Sequence, residues 1–314
     1  MIYNALGRLS RRSLIKITGI ILSGFLALSL PLPGAAAEDV IDARPALWVI
    51  DNMPGAVGET YLLGSFHLLP KNYRWFEGAL QTVYEKSDEL VLEAEMTPEA
   101  MAEIQAMFIK NGFFTGDDNL KNHLDDSHYQ KMLEHAARLM GQNEAAARRM
   151  KPWFMAIQLS IISIMSSGMD PNSGVDKYLE ALAQRDGKNI AGLETPLQQM
   201  TALIDHPLKV QSAMLTDTLD KLDDFKSYIT SYLEAWRSGD LDKINKTMVK
   251  DMAKYPEMYQ ALLVKRNLNW LPEIERRMSD DKTTFIVVGA AHLVGDDGII
   301  KLLRNKGYKV RKIQ

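Results

Sequence analysis

Strand-like runs in this chain gather near its two ends, with one isolated run between them. The long middle instead repeats its apolar residues every three or four positions. Strands must pair to hide their edges and apolar faces, so the two ends have to meet across the helical middle. The fold class that follows is α/β: a central mixed β-sheet built from N- and C-terminal segments, carrying a large helical insertion over about residues 97–280.

The strand runs are Ala46–Ile50, Thr60–Gly64, Glu89–Glu95, Asn189–Leu193, Thr283–Val288 and Tyr308–Arg311. Pro54, Gly55 and Gly58 separate the first two, which read as a hairpin. Helical spacing covers 97–111, 125–139, 143–168, 174–186, 196–205, 208–236, 240–252 and 256–278, and again Gly298 to Lys306 with Gly307 as its stop. No Gly/Ser- or Pro-rich linker divides residues 38–314, which read as a single domain.

Two of the six histidines share a local pattern, Gly64-Ser65-Phe66-His67 and Gly289-Ala290-Ala291-His292, and each pattern ends an apolar strand. Ligands collect beyond the carboxyl ends of strands in open α/β sheets, and a glycine there lets backbone turn sharply or approach a ligand. Neighbouring strands would bring both imidazoles into one crevice. With no cysteine in the chain, a metal would have to use imidazole and carboxylate, so an acid is expected beside them. Glu93 and Glu95 stand two apart at the end of the third strand run and share a face of it; Glu194 follows the fourth. Acids in a run reading Leu-Val-Leu-Glu-Ala-Glu-Met need a cation, a metal or hydrogen-bond donors if buried. His123, His128 and His135 belong to a charged helix and read as surface residues. The methionines of the helical middle read as adaptable core or groove lining.

Residues 1–37 hold Arg8, Arg11, Arg12 and Lys16 and no acid, then an apolar run from Ile17 to Leu32 and Gly34-Ala35-Ala36-Ala37. These are the parts of a cleavable export signal, and the arginine pair matches the twin-arginine pattern. Removing it takes four positive charges, so residues 38–314 carry a net charge of −7. The expected product is an acidic protein, periplasmic or secreted, with no stable membrane anchor after cleavage. Neither the charge nor its distribution offers nucleic acid a footprint.

These residues carry a family resemblance. Tyr61-Leu62-Leu63-Gly64-Ser65-Phe66-His67, Leu92-Glu93, Gly174-Val175-Asp176, Gly192-Leu193-Glu194-Thr195 with Gln198-Gln199, Arg266-Asn267, and Val287-Val288-Gly289-Ala290-Ala291-His292-Leu293-Val294-Gly295 with Gly298 resemble, in that order, the TraB/PrgY/GumN family, which includes the Tiki Wnt-cleaving proteins. The resemblance runs over about residues 45–314 and implies a fold akin to the erythromycin-esterase and ChaN-like proteins. It also implies a metal-dependent hydrolase of peptide or amide bonds, with His67, His292 and Glu93 on a divalent ion such as manganese, cobalt or zinc, and Arg266 at the same cleft. Glu194 or Glu95 would move protons, and Glu95 stands where a shorter acid is expected. The partner would be a peptide or small-molecule substrate. Three alternatives stay open: water activation by histidine and glutamate without metal, a non-catalytic protein that binds metal, haem or peptide in the cleft, and an envelope interaction protein for which the cleft residues are dispensable.

Overall fold

Alternation along the strands decides the layering. Tyr61 and Leu63 point into one buried cluster while Leu62 between them points into another, so the sheet is apolar on both faces and covered on both. The computed structural model describes residues 39–51 and 57–314; the export signal expected over residues 1–37 lies outside them.

Eight strands are present among the described residues: β1 (Ile41–Asp42), β2 (Leu47–Ile50), β3 (Thr60–Ser65), β4 (Tyr73–Arg74), β5 (Glu89–Ala94), β6 (Asn189–Glu194), β7 (Thr284–Gly289) and β8 (Val310–Lys312). Six form one mixed sheet in the order β6-β5-β7-β3-β2-β8. β2 and β3 are the antiparallel hairpin read from the sequence, and β8 joins β2 antiparallel. β3, β7, β5 and β6 run parallel, with Ser65 opposite Gly289 and Leu92 opposite Val287. The chain-end strands therefore do pair across the helical middle, and four carboxyl ends emerge on one side of the sheet. A second pair, β1 with β4, is parallel and only two residues long; so short a pairing carries no periodicity to read.

Helices Ala79–Lys86, Val175–Asp186 and Phe225–Arg237 cover one face, through Leu80, Leu179 and Trp236 among others. Helices Lys265–Met278 and Ile299–Asn305 cover the other, through Trp270, Ile274 and Leu303. A third cluster, centred on Tyr129, Met132, Trp153, Leu159 and Leu215, gives the helical insertion its own core. His135, expected at the surface, is 5% exposed beside that core.

Two long helical readings are broken. The stretch 143–168 divides into Glu144–Ala147 and Pro152–Ser166, because Met150 turns out to bridge Phe113 and Pro152 then opens the next helix. The stretch 208–236 divides at Asp223-Asp224 into Leu208–Leu222 and Phe225–Arg237. Among the described residues no helix is long and apolar enough to cross a membrane.

Candidate functional site

Beyond the carboxyl ends of β5, β6, β7 and β3 the structure gathers Glu93, Glu194, His292, Arg266 and His67. Glu93 is the penultimate residue of β5 and is 7% exposed. Its Oε1 accepts the Gly289 backbone N–H at 2.7 Å, and its Oε2 accepts Arg266 Nη2 at 2.6 Å and Gln199 Nε2 at 2.8 Å. Gln199 comes from helix Pro196–Ile204, which starts directly after β6 with Thr195 and Gln198 capping each other reciprocally.

Arg266 reaches the cluster from the start of helix Lys265–Met278. The turn before it, Gln260–Val264, is π-helical, a widening that recurs at functional sites. Arg266 donates from Nε and Nη2 to Glu194, from Nη2 to Glu93, and from Nη1 to Leu262 O at 3.2 Å and His292 Nε2 at 3.1 Å. Its guanidinium lies 4.6 Å from the centroid of the Trp270 ring, which donates Nε1–H to Glu194 and packs on His292. Two buried acids share one arginine: Glu194 takes two of its donors in a fork, Glu93 a single bond from Nη2.

The proton of His292 is placed by its neighbours. Asn267 Nδ2 donates to the carbonyls of Asp297 at 2.8 Å and His292 at 3.3 Å, which leaves its Oδ1 as the acceptor facing His292 Nδ1 at 2.6 Å. The ring is therefore protonated on Nδ1 and offers the Nε2 lone pair to the cleft. Burial, helped by Arg266 and opposed by Glu93, lowers the His292 pKa to about 3. His292 is neutral at physiological pH.

His67 stands at the mouth, its side chain 58% exposed. Asp176 accepts its Nδ1–H at 2.9 Å and raises its pKa to about 9. The motif Gly174-Val175-Asp176 makes this contact possible. Val175 N–H bonds Phe66 O at 3.0 Å, and a Cβ on Gly174 would lie 2.0 Å from His67 O, so only glycine admits the two backbones. Burial would raise the Glu93 carboxyl, yet His292, once acid has protonated that ring, holds it with Arg266, His67 and the Gly289 N–H well below the usual carboxylate range. Burial raises the Glu194 carboxyl from its ordinary value despite Arg266.

Gly289 is the floor of the cleft. A Cβ built there would sit 3.2 Å from Glu93 Oε1, 3.6 Å from His292 Cδ2 and 3.9 Å from His67 Nε2. Two imidazoles and a carboxylate thus face the space that glycine leaves, each imidazole turned by a partner on Nδ1 in the way metal-binding histidines are turned. Among the described residues no three His, Asp or Glu side chains are already closed around one point at ligand distance. On the His292 side Arg266 Nη1 takes the Nε2 lone pair, and on the His67 side Asp176 keeps the ring protonated. The donor types fit a divalent cation, for which that contact and that proton both have to yield.

Of the residues singled out in the sequence, His67, Glu93, Glu194, Arg266 and His292 come together, and Glu95 does not. β5 ends at Ala94, so Glu95 leaves the strand and is exposed, lining a separate cavity with Glu194. Asp176, Gln199, Asn267 and Trp270 hold the cluster in place, roles that sequence reading did not assign although the first three fall in the quoted motifs. No curated protein matches the chain. The family model described as TraB/PrgY/gumN matches residues 46–312, nearly the whole chain, and the chain belongs to that family.

Proposed function

We propose that this protein is an exported hydrolase of peptide or amide bonds whose reacting centre is the space in front of Gly289, with His67, Glu93 and His292 able to hold a divalent ion there. The observation that carries this is the convergence of His67 Nε2, Glu93 Oε1 and the His292 ring on the Gly289 cradle. When bound, such an ion would polarise a carbonyl and acidify water.

The chain's own groups define the rest. Glu93, tied to Arg266 and held ionised, is a weak proton acceptor and suits charge stabilisation. Glu194, raised by burial, is the carboxylate of the pair better placed to take up a proton. Arg266 Nη1 spends its two hydrogens on neutral acceptors at 3.1 and 3.2 Å. A developing oxyanion would draw that donor away, since charged acceptors make shorter and stronger hydrogen bonds.

A second reading rests on the same Arg266–His292 contact. The guanidinium already supplies a cation beside Glu93, so a histidine and a glutamate could activate water without an ion, with the His292 Nε2 lone pair or Glu194 taking the proton. Peptide-library cleavage by protein purified without a histidine tag, with elemental analysis and with and without chelator, separates the readings. Cleavage lost on chelation and restored by one metal supports the ion; undiminished cleavage supports the second reading; no cleavage under any loading refutes the hydrolase and leaves a binding protein.

A further inference from the structure

The outer edge of β6 is open. β6 ends the sheet and pairs with β5 on one side; among the described residues its backbone has no hydrogen-bond partner on the other. No proline or lysine lies within Asn189–Glu194 to blunt the edge, and Ile190, Ala191 and Gly192 are only half-buried. Helices Val175–Asp186 and Lys265–Met278 pack against β6, yet neither supplies the missing backbone partner.

At the carboxyl end of this edge lies a cavity of about 440 Å³, lined by Glu95, Thr97 and Ala100 on one side and Gly192, Glu194 and Gln198 on the other. The two acids there differ. Glu194 is paired with Arg266, which it shares with Glu93, whereas the exposed Glu95 carboxylate has no ion-pair or hydrogen-bond partner among the described residues. Ala100, Leu193 and Pro196 supply apolar lining to the same cavity.

We propose that an extended polypeptide segment adds as a strand to the outer edge of β6, placing a lysine or arginine side chain in the cavity against Glu95. The proposal rests on the peptide-hydrolase reading and gives its substrate class. Strand addition takes affinity from backbone hydrogen bonds and specificity from pockets for individual side chains. An unmatched carboxylate in a cavity also lined by Ala100, Leu193 and Pro196 suits a cationic head on an aliphatic stem. The net charge of −7 on residues 38–314 favours a basic segment over an acidic one. The edge also leads to the reacting centre. Glu194 closes β6 and shares Arg266 with Glu93, and the helix that follows sends Gln199 to Glu93.

The test uses short extended peptides of alternating Val and Thr with a central Lys, the same with a central Glu, and the Lys peptide N-methylated along one edge. Binding is read by calorimetry and by amide exchange, so no turnover is needed. The Lys peptide should bind about three- to fivefold more tightly than the Glu peptide, the scale of one exposed ion pair. Glu95→Gln should remove that preference and Glu95→Lys reverse it. N-methylation should abolish binding, and exchange should slow over residues 190–193. The proposal is overturned by a preference that survives Glu95→Gln, by tolerance of N-methylation, or by protection elsewhere. It is equally overturned by a dimer in solution whose β6 amides are already protected without peptide. A peptide that protects β6 and is never cut refutes the hydrolase alone. One that is cut without protecting β6 refutes this proposal alone.

Discussion

Glu93 cannot exchange an oxygen for an amide nitrogen without loss, because donors face both of its oxygens. Gly289 N–H meets Oε1, while Arg266 and Gln199 meet Oε2. In Glu93→Gln the side-chain NH₂ must point at one of these donors, and Arg266 loses one of its two counter-charges. Glu194 still holds the guanidinium, so the expected cost is about 3 kcal/mol, read as a lowered urea midpoint in metal-free protein. An unchanged midpoint would mean that Glu93 is not held as drawn. Single residues were legible in the sequence where they were chemically exposed as anomalies: a histidine closing an apolar strand, an acid inside one. Their partners were not. Gln199 reaches Glu93 across 106 residues of chain, and Asp176 reaches His67 across 109. Nothing local distinguishes Asn267, which fixes the His292 proton, from a polar residue on a helix surface.

At the scale of elements, periodicity and composition located every strand of the large sheet and the hairpin, most clearly β2, β3, β5 and β7, which are long enough to be buried on two faces. It failed where an element is too short to alternate, as in β1 and β4, and where tertiary contacts cut a helical pattern, as at Met150. The end of β5 shows how one residue decides a role. The run through Glu95 has strand character throughout, but pairing stops at Ala94 and turns Glu95 away from Glu93. The start of helix Val175–Asp186 offers the opposite case, a short motif whose geometry is demanding. Gly174 has φ −58°, open to any residue, so its constraint is purely steric. Gly174→Ala should push the helix off the His67 loop at a cost of about 3 kcal/mol, with the His67 imidazole signals shifting in NMR as Asp176 retreats. Wild-type stability with unmoved His67 signals would show that the loop absorbs the methyl group.

For the molecule as a whole, charge distribution makes two claims. The four positive charges of residues 1–37 stand on one segment, and if the twin-arginine reading holds, Arg11→Lys with Arg12→Lys retains the precursor in the cytoplasm, since the pair itself is read. Normal export of that variant, seen by fractionation, removes the reading. The second claim concerns stability against pH, where the two histidines of the site act in opposite directions. His67 rises from 6.5 to about 9 on folding, so its contribution is complete below about 6.5 and is lost as pH climbs through about 9. His292 falls from 6.5 to about 3, so its contribution is present above about 6.5 and is lost as pH drops toward 3. Asp251 steepens the acid side. Burial opposes its ionisation, but Lys221 and Lys254 lower it to about 2, and that contribution disappears as pH falls below the ordinary carboxylate range. Urea midpoints of metal-free protein should therefore peak near pH 6.5. Asp176→Asn should soften the acid limb, since His67 holds the Asp176 carboxyl below its ordinary value against burial, and should flatten the alkaline limb. A divalent ion changes that limb in a direction fixed by the same chemistry. His67 can offer Nε2 to a metal only after releasing the proton that Asp176 helps it keep, so stabilisation by added Zn²⁺ should grow as pH rises toward about 9. A Zn²⁺ effect of equal size at every pH would show that His67 is not a ligand, whatever its distance from Gly289.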